Sequence, residues 1–302
     1  MRSLTKASIT ALAIGLGLTV FSTLWPKEEY VSAKAEETDT AIPEPGTALY
    51  HAYQVAKELG PIPKFTCSDA VVIPITQNGV QVTEEVDWCD NPAVFGEPCD
   101  PTNRVGRYQG TYENGDPRPE VIYLTFCRDG GLGVIGHNSE TGATAFFSIE
   151  DGGRSYGDVP GPNDPGYEKN WQPPAVVAAD NCYKCHMADP WLHTPWIDQV
   201  RNPENPKESI IPYTADKTSP YYILGDGFDQ PLPQPALDEL KGNSCIKCHR
   251  VQCIPEFFNY ELGDITTLTG PLQLHYTDKM ADDLAALNAW CKAQDIQYFS
   301  GK

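Results

Sequence analysis

Basic residues are scarce in this sequence, which contains 22 Lys and Arg against 41 Asp and Glu and has a formal net charge of −19 at pH 7. Nucleic-acid phosphates and anionic lipid headgroups repel such a chain, so neither is expected as a partner. The acidity suits solubility outside the cytoplasm, and it also suits docking to basic patches on partner proteins. The composition leaves both interpretations open.

Long apolar runs are equally scarce, and the only candidate lies at the N-terminus. The run from Ala7 to Trp25 is apolar apart from hydroxyl side chains, follows the basic residues Arg2 and Lys6, and precedes Ala33-Lys34-Ala35. This order predicts a signal peptide over residues 1–35. An uncleaved membrane anchor is the alternative, because the run is only marginally short for a span. In both cases the body of the protein is exported, to the periplasm or the extracellular surface of a bacterium.

Long internal repeats are absent, and the chain changes character along its length instead. Residues 36–160 are predicted to form a β-rich domain that opens with a short helix between Ile42 and Pro61. The buried face of this helix is predicted to contain Leu49, Tyr53, Ala56 and Leu59. Runs rich in β-branched and aromatic residues follow, separated by turn signals, at residues 70–76, 79–83, 121–126 and 143–149.

The strand signals fade after a linker rich in Gly, Pro and Asp between residues 151 and 174. Residues 161–302 are predicted to form a loop-rich, partly helical domain. Its one clear helix runs from about Asp278 to Ala293, where apolar side chains recur at helical spacing. The predicted fold class is therefore α+β, with a β-rich domain followed by this second domain.

Ten cysteines in an exported chain need partners, because an oxidising compartment favours disulfides. Four belong to the two motifs described next. The other six match no zinc-ligand spacing and predict three disulfides, with pairing inside each half of the chain. Cys253–Cys291 follows for the second half. For the first half we choose Cys67–Cys127 and Cys89–Cys99, although the spacing leaves the other pairings open.

The pattern Cys-x-Lys-Cys-His occurs twice, at Cys182–His186 and at Cys245–His249. In such a motif the two thiols can add to the vinyl groups of haem, and the adjacent imidazole can bind the iron from one face. One copy could instead be a thioredoxin-like redox pair or half of a zinc site. Two copies, each followed at once by His in a chain with an export signal, favour covalent haem attachment.

On these two motifs and the export signal, the chain resembles the c-type cytochrome superfamily, without identifying a subfamily. The resemblance does not extend to the β-rich domain. It implies electron exchange with redox partner proteins or neighbouring cytochromes, with a homo-oligomer as one arrangement. It also implies a dihaem cytochrome domain with two haem c groups per chain. The attachment residues would be Cys182, Cys185, Cys245 and Cys248, and the iron ligands His186 and His249.

The second axial ligands are expected among the few remaining candidates, since the chain has only six His and three Met. His193 lies between prolines and tryptophans shortly after His186, and we expect it to ligate the other haem, because its tether is too short to pass round the same ring. His275, with apolar neighbours after the second motif, is the second choice. His137 is interpreted as structural, and His51 as a solvated residue off the apolar face of its helix.

The leading functional hypothesis is electron transfer by an exported dihaem c-type cytochrome with two six-coordinate, low-spin haems. The rival hypothesis is a dihaem oxidoreductase, such as a peroxidase-like enzyme, which needs an open iron site and an acid–base group above it. Because His193 and His275 would fill both sixth positions, a carrier is favoured over a catalyst, and no catalytic residue is predicted. The β-rich half would act as a docking module.

Overall fold

The computed structural model describes residues 42–93, 99–128, 131–149, 159–180, 186, 190–212, 221–228, 230, 243, 282–283, 285–286, 289–290 and 293. By the contacts between residues, the chain divides into two compact units, residues 1–41 and 42–302. The first unit lies outside the described residues, so the signal peptide stays a prediction. The boundary after residue 160 also stays a prediction.

A six-stranded sheet forms the centre of the described part, in the order β1-β4-β5-β6-β7-β10. Four consecutive antiparallel strands make up most of it: β4 (Arg104–Thr111), β5 (Pro117–Arg128), β6 (Gly131–Asn138) and β7 (Ala143–Ile149). One edge is β1 (Val71–Val72), antiparallel to β4, and the other is β10 (Tyr222–Ile223), parallel to β7. Residues from the second half of the chain therefore complete the sheet.

Two short ribbons and a few short helices accompany the sheet. The ribbons pair β2 (Thr76–Gln77) with β3 (Val80–Gln81), and β8 (Arg201–Asn202) with β9 (Asn205–Ser209). The helices with defined bounds are α1 (Ala48–Leu59), α2 (Tyr167–Asn170), α3 (Pro174–Ala179) and α4 (Pro195–Asp198). None of the helices in the described part of the chain is long and apolar enough to cross a membrane. The predicted mixture of α and β structure is confirmed.

The sequence patterns located some strands and missed others. The runs at 121–126 and 143–149 lie in β5 and β7, and the Asn78-Gly79 signal is a tight turn with φ of 51° and 74°. The runs at 70–76 and 79–83 give only two-residue strands. β4 and β6 went unpredicted, since charged and polar residues interrupt β4 and three glycines interrupt β6. Within the predicted C-terminal helix, the described residues between 282 and 293 are helical.

The two faces of the sheet bury different sets of side chains, because successive strand residues point to opposite faces. One face, the α1 face, packs helix α1 and Trp171 against alternate residues such as Tyr123 and Phe147. The opposite face, the tryptophan face, packs Trp191 and Trp196 against residues such as Leu124, Ile135 and Phe146. Each face has its own apolar cluster.

Helix α1 begins at an N-cap, where the Thr47 hydroxyl accepts a hydrogen bond from the Tyr50 N–H, and ends at Gly60. Gly60 has φ of 79°, and an added Cβ would lie 2.4 Å from the Thr111 carbonyl oxygen, so only glycine fits there. The predicted buried face is wrong except for Leu59. The buried residues are Ala48, His51, Ala52, Val55 and Leu59, because small side chains let the helix lie close to the sheet.

Each face also contains one disulfide, and both bonds are the ones chosen from the sequence. Cys67–Cys127 joins the segment after α1 to β5 and lies in the cluster of the α1 face. Cys89–Cys99 closes a loop after β3 and lies in the cluster of the tryptophan face. The predicted Cys253–Cys291 bond lies outside the described residues.

The outer side of β7 is paired by four different donors. Tyr222 N–H and Leu224 N–H donate to the carbonyls of Gly142 and Thr144, at 3.0 and 2.8 Å. The next two outward carbonyls accept from a side chain and from a loop. His51 Nε2 donates to Phe146 O at 3.1 Å, and Gln172 N–H donates to Ser148 O at 3.0 Å.

Candidate functional site

Two of the eight predicted site residues, His186 and His193, belong to the described part of the chain. Both are associated with the tryptophan face of the sheet. The remaining predicted residues lie outside the described part: Cys182, Cys185, Cys245, Cys248, His249 and His275.

The His186 imidazole is held by backbone and aromatic groups. Its Nδ1 donates to Pro190 O at 3.0 Å, so in the neutral ring the lone pair lies on Nε2. The Tyr221 hydroxyl donates to the His186 carbonyl oxygen in a short hydrogen bond. The edge of the ring approaches Phe146, with the centroids 6.0 Å apart. Position and orientation of this imidazole are thus fixed from three sides.

The His193 imidazole is held by a carboxylate. Its Nδ1 donates to Asp198 Oδ1 at 2.7 Å, and the His193 side chain is 1% exposed while that of Asp198 is 28% exposed. The pair forms because Thr194 caps α4 and places Asp198 one turn along the chain. A carboxylate on Nδ1 fixes the ring orientation and the tautomer, as it does for many histidines that bind metals.

A third histidine, His137 on β6, lies on the same face, although it was interpreted from the sequence as a structural residue. Its Nδ1 donates to Thr144 Oγ1 at 2.8 Å, and that hydroxyl donates to Gly142 O. The ring is buried and lies edge-on to Trp191 at 5.9 Å between centroids, with Tyr221 at 6.1 Å. The available signal was strand alternation, because His137 follows the inward-facing Ile135 by two residues.

We use the name histidine cluster for six residues of this part of the chain: His137, Phe146, His186, Trp191, His193 and Tyr221. Tyr221 connects two of the imidazoles, because its ring lies near His137 and its hydroxyl donates to the His186 carbonyl. His193 follows Trp191 by two residues. The three imidazoles of the cluster all donate through Nδ1, which leaves the lone pair of each neutral ring on Nε2. Trp196, which packs on the same face of the sheet, contacts a cation: the Arg128 guanidinium lies 5.6 Å from its ring centroid. The cluster combines oriented imidazoles with an apolar aromatic wall.

The fourth described histidine, His51, is held differently. It donates through Nε2 to Phe146 O, and its ring packs on Phe147 with centroids 4.8 Å apart. Burial lowers the pKa of His51 from 6.5 to about 4, against the opposing effects of the Phe146 carbonyl and Asp226. The expectation of a solvated His51 is wrong, because α1 turns this residue toward the sheet.

The orientation of the cluster imidazoles suits a metal ligand, but a metal centre needs several donors together. Among the residues that the structure describes, no group of three or more His, Cys, Asp or Glu could hold a metal ion. On this finding the prediction of two haem c groups per chain is wrong for the described part of the chain. The finding does not extend to the four motif cysteines, His249 and His275.

Comparison of the chain with protein-family models, with curated proteins and with solved structures found no match.

Proposed function

We propose that this chain is an exported electron-transfer protein. The part after residue 160, which resembles the c-type cytochromes at its two Cys-x-x-Cys-His motifs, would carry the electron. The observation that carries the proposal is the histidine cluster: the one described motif histidine, His186, lies on the same face of the sheet as His137, to which Tyr221 connects it, and its imidazole is oriented through Nδ1.

The surroundings of the cluster suit electron transfer, because a buried apolar shell and fixed hydrogen bonds tune the potential of a redox group. Phe146, Trp191 and Tyr221 supply the apolar shell, and Pro190 O, Asp198 and Thr144 supply the hydrogen-bond acceptors. Electron transfer alone does not identify the redox group, which is determined from the mass of the denatured chain.

Export is supported by the two disulfides, because such bonds persist in oxidising compartments. The periplasm or the cell surface of a bacterium is the proposed location. Redox proteins with basic docking faces are the proposed partners, since the chain has a net charge of −19.

The test is a reductive titration of the full exported chain, over a window of about −500 to +400 mV that covers most biological redox groups. We expect reversible electron uptake, and we expect it to disappear when Cys182, Cys185, Cys245 and Cys248 are all replaced by Ala. The matched control is the double variant Cys89→Ala/Cys99→Ala, which removes a disulfide and leaves both motifs intact. It should keep the reversible uptake.

Two outcomes would count against the proposal. If the chain takes up no electrons, or if the Cys89/Cys99 control loses as much uptake as the motif variant, electron transfer through the motifs is wrong. Rapid turnover of hydrogen peroxide would favour the oxidoreductase instead. The mass of the denatured chain, measured on the same sample, identifies any group that is covalently attached to it.

A further inference from the structure

The loop after β3 presents an aromatic side chain to solvent. Trp88 is 43% exposed, whereas Trp171, Trp191 and Trp196 are buried. Val80, in the neighbouring ribbon, is 67% exposed. A single exposed Val needs no explanation, but a large aromatic ring next to it in an ordered loop is typical of an interaction surface.

The backbone of the loop is fixed at Trp88 and at the two residues that follow it. The Trp88 carbonyl accepts a hydrogen bond from Gln77 Nε2 at 2.8 Å. Cys89 is fully buried in its disulfide with Cys99. The Asp90 carboxylate accepts three hydrogen bonds of 2.7–2.9 Å from the β2–β3 ribbon, from Thr76 Oγ1, Asn78 N–H and Gly79 N–H.

Val80 lies on the same side of the ribbon as Gln77, because the two residues are direct cross-strand partners. Because Gln77 Nε2 donates to the Trp88 carbonyl, this side chain links the ribbon that contains Val80 to the loop that contains Trp88. The two exposed apolar side chains therefore belong to segments that are joined to each other.

The chain around this surface contains only negative charge. Residues 65–103 contain seven Asp and Glu and no Lys or Arg. Three of the carboxylates, on Glu84, Glu85 and Asp87, are exposed next to Trp88. A cation over an aromatic face is attracted by the ring, and neighbouring carboxylates add to this attraction. The described part of the protein contains such contacts, for example the Arg118 guanidinium 5.5 Å from the Tyr112 ring centroid.

We propose that Val80, Glu84, Glu85, Asp87 and Trp88, here called the Trp88 surface, dock a partner protein through a basic face. An Arg or Lys side chain of the partner lies on the Trp88 ring, and its neighbours pair with the three carboxylates. The docking does not depend on the proposed electron transfer, because the surface would serve a basic partner of any activity.

The test uses the full exported chain and a fluorescent peptide of alternating Arg and Gly as the probe, with binding followed by fluorescence anisotropy at about 0.15 M salt to screen distant charges. Trp88→Ala should weaken binding roughly fivefold, and Trp88→Phe should retain most of it. The triple variant Glu84→Gln/Glu85→Gln/Asp87→Asn should weaken binding and flatten its salt dependence.

The matched control is the triple variant Tyr112→Ala/Glu113→Gln/Asp116→Asn, which removes an exposed aromatic ring and two carboxylates at the turn between β4 and β5. It should leave binding unchanged. If the control weakens binding as much as the Trp88 variants do, or if Trp88→Ala binds as tightly as wild type, the peptide recognises diffuse negative charge and the proposal is overturned.

Discussion

The two faces of the sheet use histidine in different ways. On the α1 face a single ring, His51, donates through Nε2 to a backbone carbonyl and serves the packing of a helix. On the tryptophan face three described rings donate through Nδ1, and two of them, His137 and His186, lie against aromatic side chains. Burial alone does not separate the two kinds of histidine, since His51 is 1% exposed and His137 is 2% exposed. The nitrogen that makes the anchoring bond distinguishes them.

The largest expected effects come from the disulfides of the two faces. Replacing Cys67 and Cys127 with Ala should lower the free energy of unfolding by about 4 kcal/mol, because that bond closes a long loop with a sequence separation of 60. The pair Cys89–Cys99 has a separation of only 10, and its removal should cost about 3 kcal/mol.

Urea denaturation of both double variants under oxidising conditions measures this difference. A larger loss for the Cys89/Cys99 variant would show that the tryptophan face depends more on its cross-link than loop length predicts.

The next effect concerns acid and the α1 face. In the folded chain His51 stays neutral down to its pKa of about 4, whereas in the unfolded chain it binds a proton below about 6.5. Between pH 6.5 and pH 4 the unfolded state therefore binds more protons than the folded state. The free energy of unfolding consequently falls as the pH falls through this range. The contribution of His51 should reach roughly 3 kcal/mol by pH 4.

The check is urea denaturation of wild type and His51→Gln at several pH values. Gln can still donate to the Phe146 carbonyl but does not titrate, so the variant should lose less stability between pH 6.5 and pH 4. Identical pH profiles would mean that His51 does not cause the acid sensitivity.

Substitution of two glycines of β6, one on each face, allows the packing of the two faces to be compared. A Cβ added at Gly136 would lie 2.5 Å from the Tyr123 ring and 2.9 Å from Leu59, on the α1 face. Among the described residues, no atom lies within 4 Å of a Cβ added at Gly133. Gly136→Ala should therefore destabilise the protein by about 2 kcal/mol, and Gly133→Ala should change its stability by less than about 0.5 kcal/mol. Thermal unfolding of both variants tests this, and equal losses would contradict a packing difference between the faces.

The smallest expected effect concerns the anchors in the histidine cluster. Asp198→Ala removes the acceptor of His193 Nδ1 and should cost about 1 kcal/mol, whereas Asp198→Asn keeps an acceptor and should cost less. Thr144→Val is the matched change at His137. Nitrogen-15 NMR of the imidazoles should show the proton leaving Nδ1 only in the ring whose acceptor was removed. A spectrum that does not change in either variant would mean that other contacts fix the tautomers.

The sequence predicted local features well and long-range ones poorly. The Asn78-Gly79 turn and the strands around Tyr123 and Phe146 follow from nearby residues. Counting the cysteines and dividing the chain into halves predicted pairing within the first half, but the spacing did not decide between Cys67–Cys127 with Cys89–Cys99 and the other pairings. The position of His51 could not be predicted, because the buried side of α1 is set by the small residues that meet the sheet.

The candidate site shows the same limit. His186 and His193 were singled out by their motif and its flanks, but the contact of His137 with Trp191 joins residues 54 positions apart. Strand β10 pairs with β7 across an even longer separation. Because β10 has only two residues, it contains no periodic pattern from which the strand could be predicted. Contacts of this kind depend on the topology of the whole chain.

The pairing at the outer edge of the sheet has a consequence for self-association. An open strand edge invites addition of a strand from another molecule. Here the outward carbonyls of β7 already accept four bonds, and beyond β10 the Gln230 carboxamide accepts from Ile223 N–H and donates to Ile223 O, both at 3.3 Å. One side chain thus takes the place of a seventh strand. Another copy of this chain that continued the sheet at this edge would first have to displace Gln230.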